Sequence, residues 1–299
     1  MKFNLITTVF IMLAAFTSCS IIQPTSLKNN KMDYQAHRGG RGLMPENTIA
    51  AMLSVMDNEK VSTLEMDLAI TKDKQVVVSH DPNLNPLITT KQDGTYISAE
   101  EINKYIIYQM DYATLAKYDV GLKTHPGFKG QKKLAASIPT LSSLIDSVEK
   151  KSKTIGKKMN YNIEIKSVEG KDGSEHPGPD EFVELVVNTL TKKNILDRTS
   201  LQSFDLRPLR VLHEKYPNIK TSYLVFGEAS ANAEKQIALL GFQPAIYSPE
   251  YKYVNKGMVD YCHQKNIQVI PWTVNTKEEI NTLIQLKVDG IITDYPNLY

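Results

Sequence analysis

Three carboxylates, two imidazoles and two cationic side chains stand out in this chain because each closes or follows a β-rich run. In Leu64-Glu65-Met66-Asp67-Leu68 two acids are spaced i, i+2, so both project to one face of a strand. The same spacing groups Asn162, Glu164 and Lys166 on one face of Asn162-Ile163-Glu164-Ile165-Lys166. The run Asp33-Tyr34-Gln35-Ala36-His37-Arg38 ends in an imidazole and a guanidinium ahead of Gly39-Gly40, and Val77-Val78-Ser79-His80 ends in a second histidine. Glu65, Asp67 and Glu164 are hard oxygen donors, suited to one divalent cation such as Mg²⁺ or Ca²⁺ rather than to zinc. No His-x-x-x-His helix is present and sulfur is scarce, which disfavours a zinc hydrolase. Histidine titrates near neutrality, so His37 and His80 can divide the roles of base and acid. Arg38 and Lys166 are natural partners for a phosphate. Together these groups describe phosphoryl-transfer chemistry. His125, His176, His213 and His263 lack such company and are read as packing or surface residues.

Side chains this far apart in sequence can meet only if the runs that carry them lie side by side. Strand-like runs recur at roughly Asp33–His37, Thr63–Ile70, Asn160–Lys166, Thr199–Ser203, Lys220–Phe226, Ala245–Ser248, Gln268–Trp272 and Gly290–Thr293. Amphipathic stretches such as Thr48–Met56, Glu181–Thr191, Leu206–Tyr216, Glu234–Leu240 and Lys277–Leu286 lie between most of them. That alternation implies right-handed βαβ crossovers and a parallel sheet. The expected fold is α/β, a (β/α)8 TIM barrel. An open doubly wound sheet is disfavoured, because no G-x-G-x-x-G follows the first run. Parallel strands buried on both faces are normally apolar, and unpaired buried charge is costly. One same-face acid pair could be a structural ion pair. Charged groups at the ends of at least three runs point instead to a site at the C-terminal mouth of the barrel.

One stretch breaks the rhythm. Between Pro82 and Pro139 the chain has turns at Asp93-Gly94 and Pro126-Gly127 and only weak helical signals around Ser98–Tyr108. A loop this long is usually functional or a small subdomain. An insertion over residues 82–139, after the second strand region and above the strand ends, is expected, with a lid or specificity role. The helical pattern resumes after Pro139-Thr140, over Leu141–Lys151.

The composition is that of a globular protein: 299 residues, 41% hydrophobic, with 15 Gly, 14 Pro and 2 Cys. Disorder, a fibre and a disulfide scaffold are excluded. A formal net charge of +2 gives no electrostatic case for nucleic acid, and no protein partner is predicted. The front of the chain reads as an address. Lys2 precedes an apolar run, Val9 to Phe16, too short to span a bilayer, and small residues lead to Cys19. Residues 1–18 are therefore expected to be a signal peptide. Cys19 then resembles the acylated cysteine of a bacterial lipobox, although Phe16 stands where such motifs usually carry Leu. Residues 19–32 would be a lipidated tether and residues 33–299 the barrel. The expected location is across the inner membrane, lipid-anchored, in the periplasm or at the outer membrane. Cys262 is read as a small packing residue on a helix.

A family resemblance gathers at the same residues. His37-Arg38-Gly39-Gly40 with Pro45-Glu46-Asn47-Thr48, Glu65-x-Asp67, His80-Asp81, Asn162-Ile163-Glu164-Ile165-Lys166, Ser203-Phe204-Asp205, Trp272-Thr273-Val274-Asn275 and Asp289-Gly290-Ile291-Ile292-Thr293-Asp294 resemble the glycerophosphodiester phosphodiesterases. The resemblance runs from about Tyr34 to Pro296, and its motifs are in the family's order. It implies a (β/α)8 barrel with a small insertion, metal ligands at Glu65, Asp67 and Glu164, and a catalytic pair at His37 and His80. It further implies phosphate binding by Arg38 and Lys166, an orienting role for Glu46 beside the first histidine, and a substrate-pocket position for Trp272. Ser203-Phe204-Asp205 and Asn275 are read as strand-to-helix turn devices, with Asn275 or Thr276 capping the next helix. The implied activity is metal-dependent hydrolysis of a small glycerophosphodiester to glycerol 3-phosphate and an alcohol. Two rivals remain: a phospholipase-like barrel acting on intact lipids, and a non-catalytic ligand-binding lipoprotein. The first would show an apolar insertion, whereas 82–139 is rich in Lys, Asp, Tyr and Asn. The second would have lost a catalytic residue, whereas both histidines and all three acids are present.

Overall fold

Alternating apolar runs become strands wherever helices can cover them on one side and a common interior on the other. The computed structural model describes residues 31–299; the leader, Cys19 and most of the tether lie outside the described residues. The strands are β1 (Asp33–Ala36), β2 (Val61–Ile70), β3 (Val76–Val78), β4 (Asn160–Ile165), β5 (Thr199–Ser203), β6 (Lys220–Val225), β7 (Ile246–Pro249), β8 (Gln268–Val269) and β9 (Gly290–Thr293). Their spatial order is β8-β7-β6-β5-β4-β2-β1-β9, with neighbours parallel throughout. The two ends approach each other through Asp289 N–H to Val269 O at 2.9 Å and Ile292 N–H to Pro271 O at 3.0 Å. The result is the nearly closed (β/α)8 barrel that the sequence pattern implies.

Two strands differ from expectation for local reasons. β3 is an additional antiparallel return on β2, pairing Leu68 with Val78 and Ile70 with Val76. β8 stops at Val269 instead of running to Trp272. Pro271 has no N–H to continue a ladder, although its carbonyl still accepts from Ile292.

The helices are α1 (Ile49–Val55), α2 (Tyr112–Leu115), α3 (Leu141–Ile155), α4 (Pro179–Lys193), α5 (Leu206–Lys215), α6 (Ala233–Leu240), α7 (Lys256–Gln264) and α8 (Lys277–Gln285). Short polar side chains open several of them. Thr48 accepts from Ala51 N–H, Thr140 from Ser143 N–H, Asp205 from Arg207 N–H and Thr276 from Glu279 N–H. The main core lies between helices and strands, where Met52, Leu64, Met66, Ile163, Phe182, Val186, Leu209 and Val259 are buried. Cys262 is buried on α7, and burial pushes its thiol up to about 12.

The inside of the barrel has two characters. Ile246, Ile270 and Ile292 form an apolar cluster. Elsewhere the interior holds a row of amides. Asn162 Nδ2 donates to Gln35 Oε1 at 2.8 Å and to Gln202 Oε1 at 2.9 Å. Gln35 in turn donates to Asp33 and Gln202 to Glu65, each at 2.8 Å. Every one of these buried amides is paired, so the polar filling avoids the penalty of an unmade hydrogen bond.

The 82–139 segment builds a small core of its own. Leu84, Ile97, Ile107, Leu115, Val120 and Ile138 pack with Ala69 and Val77 of the barrel. Its weak helical signal becomes 3₁₀ turns at Ala99–Lys104 and Ile107–Gln109, the first closed by a capping box on Ser98 and Glu101.

Candidate active site

The register of the sheet does the first work of assembly. β2 and β4 pair Glu65 with Asn162 and Asp67 with Glu164, while β4 and β5 pair Glu164 with Gln202. The i, i+2 acids of β2 thus stand beside the acid of β4. Glu65, Asp67 and Glu164 are buried, and each offers an oxygen within 4.8 Å of the others.

Directly after β1, Arg38 and Gly39 take positive φ and turn the chain so that His37 and Arg38 face this cluster. Gly39 is required there. A Cβ at this position would lie 2.8 Å from Ala51 Cβ and 2.9 Å from Met52 N. The Arg38 N–H donates to Glu65 at 2.8 Å. Its side chain donates through Nη1 to Glu46 at 2.8 Å and places Nε 3.1 Å from Asp67.

Each histidine is backed by a carboxylate. His37 Nδ1 lies 2.6 Å from Asp294 Oδ1, and its Nε2 is 4.0 Å from Glu65. Burial lowers the His37 pKa to about 4, against the opposing pull of Asp294, so the imidazole is neutral at neutral pH. Burial opposes the Asp294 charge, but His37 and Arg41 outweigh it and hold that carboxyl below the usual range. His80 Nδ1 lies 2.9 Å from Asp81 Oδ1, and Asn85 holds the other oxygen of Asp81 at 2.7 Å. Lys166 sits 3.0 Å from His80 Nε2 and 3.1 Å from Glu164. With Nδ1–H given to Asp294 and Asp81, both imidazoles keep Nε2 available as acceptor.

The acids are electrostatically under-compensated. Burial, then Asp67, pushes Glu65 well above the carboxylate range. Burial raises Glu164 to about 7 despite Lys166. Asp67 is held low, because Arg38, His80 and Lys166 outweigh its burial. Asp67 Oδ1 is buried with no hydrogen-bond partner, and Lys166 Nζ is 3.9 Å from it. Three hard oxygen donors converging on one point with an orphaned lone pair fit a divalent cation. Arg38 and Lys166 do not by themselves neutralise the cluster.

The pocket above these groups has a volume of about 200 Å³ and is lined by His37, Arg38, Arg41, Glu65, His80, Glu164, Lys166, Gln202, Phe204 and Trp272, among others. Glu46 does not line this pocket. Its carboxylate pairs with Arg38 at 2.8 Å, with Arg41 3.9 Å away, and so holds the guanidinium that lines the pocket. The 82–139 insertion contributes no lining residue either. It flanks the mouth, with Phe128 under the Arg41 guanidinium at 4.9 Å and Gln131 bonded to Arg41 O.

Several members of the site had no role assigned from the sequence. Asp294 anchors His37, Arg41 and Asn275; Asn47 donates to Asp67 at 2.8 Å; Gln202 donates to Glu65. Asp294 had a signal, as an acid at a strand end. Asn47 stood in the motif Pro45-Glu46-Asn47-Thr48 with no role assigned to it, and Gln202 had no signal, its partner being 137 residues away.

Comparison with known proteins agrees with this geometry. Residues 37–298 match the Glycerophosphoryl diester phosphodiesterase family. A glycerophosphodiester phosphodiesterase of Caldanaerobacter subterraneus subsp. tengcongensis is 28% identical over 261 residues, 87% of this chain and 93% of that protein. A crystal structure from Silicibacter pomeroyi DSS-3 superposes with a TM-score of 0.79 at 26% identity, covering 90% of this chain and 92% of the other. An Oleispira antarctica phosphodiesterase, solved in complex with the product sn-glycerol-3-phosphate, superposes with a TM-score of 0.68 at 22% identity, covering 88% of this chain and 93% of its own. With the motifs, the barrel and the site in agreement over nearly the whole described chain, this protein is a member of the glycerophosphoryl diester phosphodiesterase family.

Proposed function

We propose that the chain hydrolyses glycerophosphodiesters to glycerol 3-phosphate and an alcohol, with one divalent cation, Mg²⁺ or Ca²⁺, held by Glu65, Asp67 and Glu164, and with His37 and His80 as the proton-transfer pair. The observation that carries this reading is the convergence of three buried acids and two carboxylate-backed histidines on one pocket. The bound ion would supply Lewis-acid neutralisation of phosphate charge. Lys166 and Arg38 hold the remaining phosphate charge in place, since phosphoryl transfer depends mainly on positioning and electrostatics. His37, neutral and fixed through Nδ1 on Asp294, presents Nε2 as the proton acceptor. His80, turned by Asp81, takes up a proton at Nε2 once Lys166 has left it, and passes that proton to the leaving alcohol. Lys166 gives up its bond to His80 when a phosphate draws it, which frees His80 Nε2 for that transfer.

The test is turnover of a panel of glycerophosphodiesters by the purified chain, with and without Mg²⁺, Ca²⁺ or a chelator. Formation of glycerol 3-phosphate that is abolished by chelation and restored by either ion is expected. No product under any metal would overturn the reading.

The proposal extends to location. The leader at residues 1–18 and lipidation at Cys19 would place the enzyme outside the inner membrane on a lipid tether. Among the described residues no helix is long and apolar enough to cross a membrane. Labelling of cells with radioactive palmitate should mark the wild-type chain and not Cys19→Ala; equal labelling of both would reject the anchor.

A further inference from the structure

Beginning beside the acid-bearing strand β4, three aromatic side chains stand just after neighbouring strands. Phe204 follows β5, Phe226 follows β6, and Trp272 comes shortly after β8. The Phe204 and Trp272 rings are 5.2 Å apart at 88°, and Phe226 stacks on Trp272 at 6.2 Å and 24°. Phe204 and Trp272 line the pocket together with Leu224 and Ile292. Phe226 is 69% exposed and Phe204 40% exposed, so the wall leaves a large aromatic area in water. The indole is fixed in place, its N–H donating to Ser248 O at 2.9 Å.

A carboxylate borders the same wall. Glu250 directly follows β7, and its neighbours pair with Trp272 through Tyr251 N–H to Trp272 O at 2.9 Å and Trp272 N–H to Pro249 O at 3.1 Å. Glu250 Oε2 accepts from the Gly227 N–H at 2.9 Å, one residue after Phe226. No cation pairs with Glu250 among the described residues. Lys166 lies 5.9 Å from the Phe204 ring and so marks the side of the wall that meets the phosphate.

We propose that Phe204, Phe226, Trp272 and Glu250 form a subsite for the alcohol half of the substrate, shaped for a head group bearing a quaternary or tertiary ammonium, as in choline. Aromatic faces attract such a cation through their quadrupole, and a methylated ammonium loses its water at little cost. Glu250 supplies the full negative charge that a purely apolar ligand would not use. A zwitterionic diester would span the mouth, its phosphate at Arg38 and Lys166 and its ammonium at the wall. This inference rests on the phosphodiesterase reading for the place of the phosphate.

Trp272 is the one tryptophan of the chain, so its fluorescence reports on the wall without any turnover. Choline should change that fluorescence saturably in the wild-type protein, and its uncharged isostere 3,3-dimethylbutan-1-ol should not. An equal response to both would overturn the inference, leaving an apolar platform for chains or alcohols. In the assay, Phe226→Leu and Glu250→Gln should each lower the ratio of kcat/KM for glycerophosphocholine to that for glycerophosphoglycerol by about three- to thirtyfold, mainly through KM. That ratio is independent of the fraction of folded enzyme, and an unchanged ratio in both variants would overturn the subsite. Saturable choline binding without hydrolysis of any diester would sustain the subsite and sink the activity instead.

Discussion

Each imidazole of the site leans on one carboxylate, and the two settings differ in burial. His37 is enclosed and held by Asp294, which also binds Arg41 and Asn275; His80 is partly open to the mouth beside Asp81. Replacing either histidine with alanine should lower kcat by at least about 100-fold with the circular dichroism spectrum unchanged. Turnover within tenfold of wild type would reject its role. Because burial keeps His37 neutral down to about 4, its ring-proton NMR shift should stay flat from pH 8 to pH 5. A midpoint near the ordinary histidine value would contradict the burial. The sign of the linked stability follows. An unfolded histidine takes up its proton near pH 6.5 and the folded His37 only near 4, so this group subtracts stability as pH falls between those values, by up to about 1.4 kcal/mol per pH unit. At this scale the sequence was legible where residue type and strand-end position coincide, as at His37, His80, Glu65 and Glu164. It was not legible for Gln202, whose partner Glu65 is 137 residues away in the chain.

At the scale of elements, the turn after β1 is the tightest fit in the site. Gly39 combines a φ of +77° with contacts to α1 that leave no room for a side chain. Gly39→Ala should cost at least about 1 kcal/mol in urea unfolding and should also lower activity, because α1 or the Arg38 turn must move. Gly94, on an open turn with nothing near its Cβ position, makes a useful contrast: the same change there should leave activity intact. Alternation of pattern made most strands and helices readable, and Thr276 was readable as a cap. The three-residue β3 was too short to carry a period, and the insertion's core was hidden because it borrows Ala69 and Val77 from the barrel.

For the whole molecule, the acid cluster sets a trade between stability and readiness to bind. Burying Glu65, Asp67 and Glu164 together strains the apo protein, and a cation that binds only the folded state stabilises it by mass action, by about 2.7 kcal/mol at a hundred times its Kd. Mg²⁺ or Ca²⁺ should therefore raise Tm in a concentration-dependent way. Glu164→Gln should raise the Tm of the metal-free protein and blunt the response to added ion. An undiminished shift in that variant would remove Glu164 from the ligand set.

The row of amides inside the barrel carries one more consequence. Asn162 stands at its centre and gives both hydrogens of its Nδ2, one toward Gln35 and one toward Gln202, while Ser200 donates to its Oδ1. Exchange that NH₂ for an oxygen, as Asn162→Asp does, and two carbonyls are left facing an anion. Gln35 and Gln202 must then rotate, turning their own oxygens outward against Asp33 and Glu65. A near-isosteric swap beneath the pocket would thus repel Glu65, a proposed cation ligand that it never touches, and calorimetric titration with Mg²⁺ is where the disturbance should register.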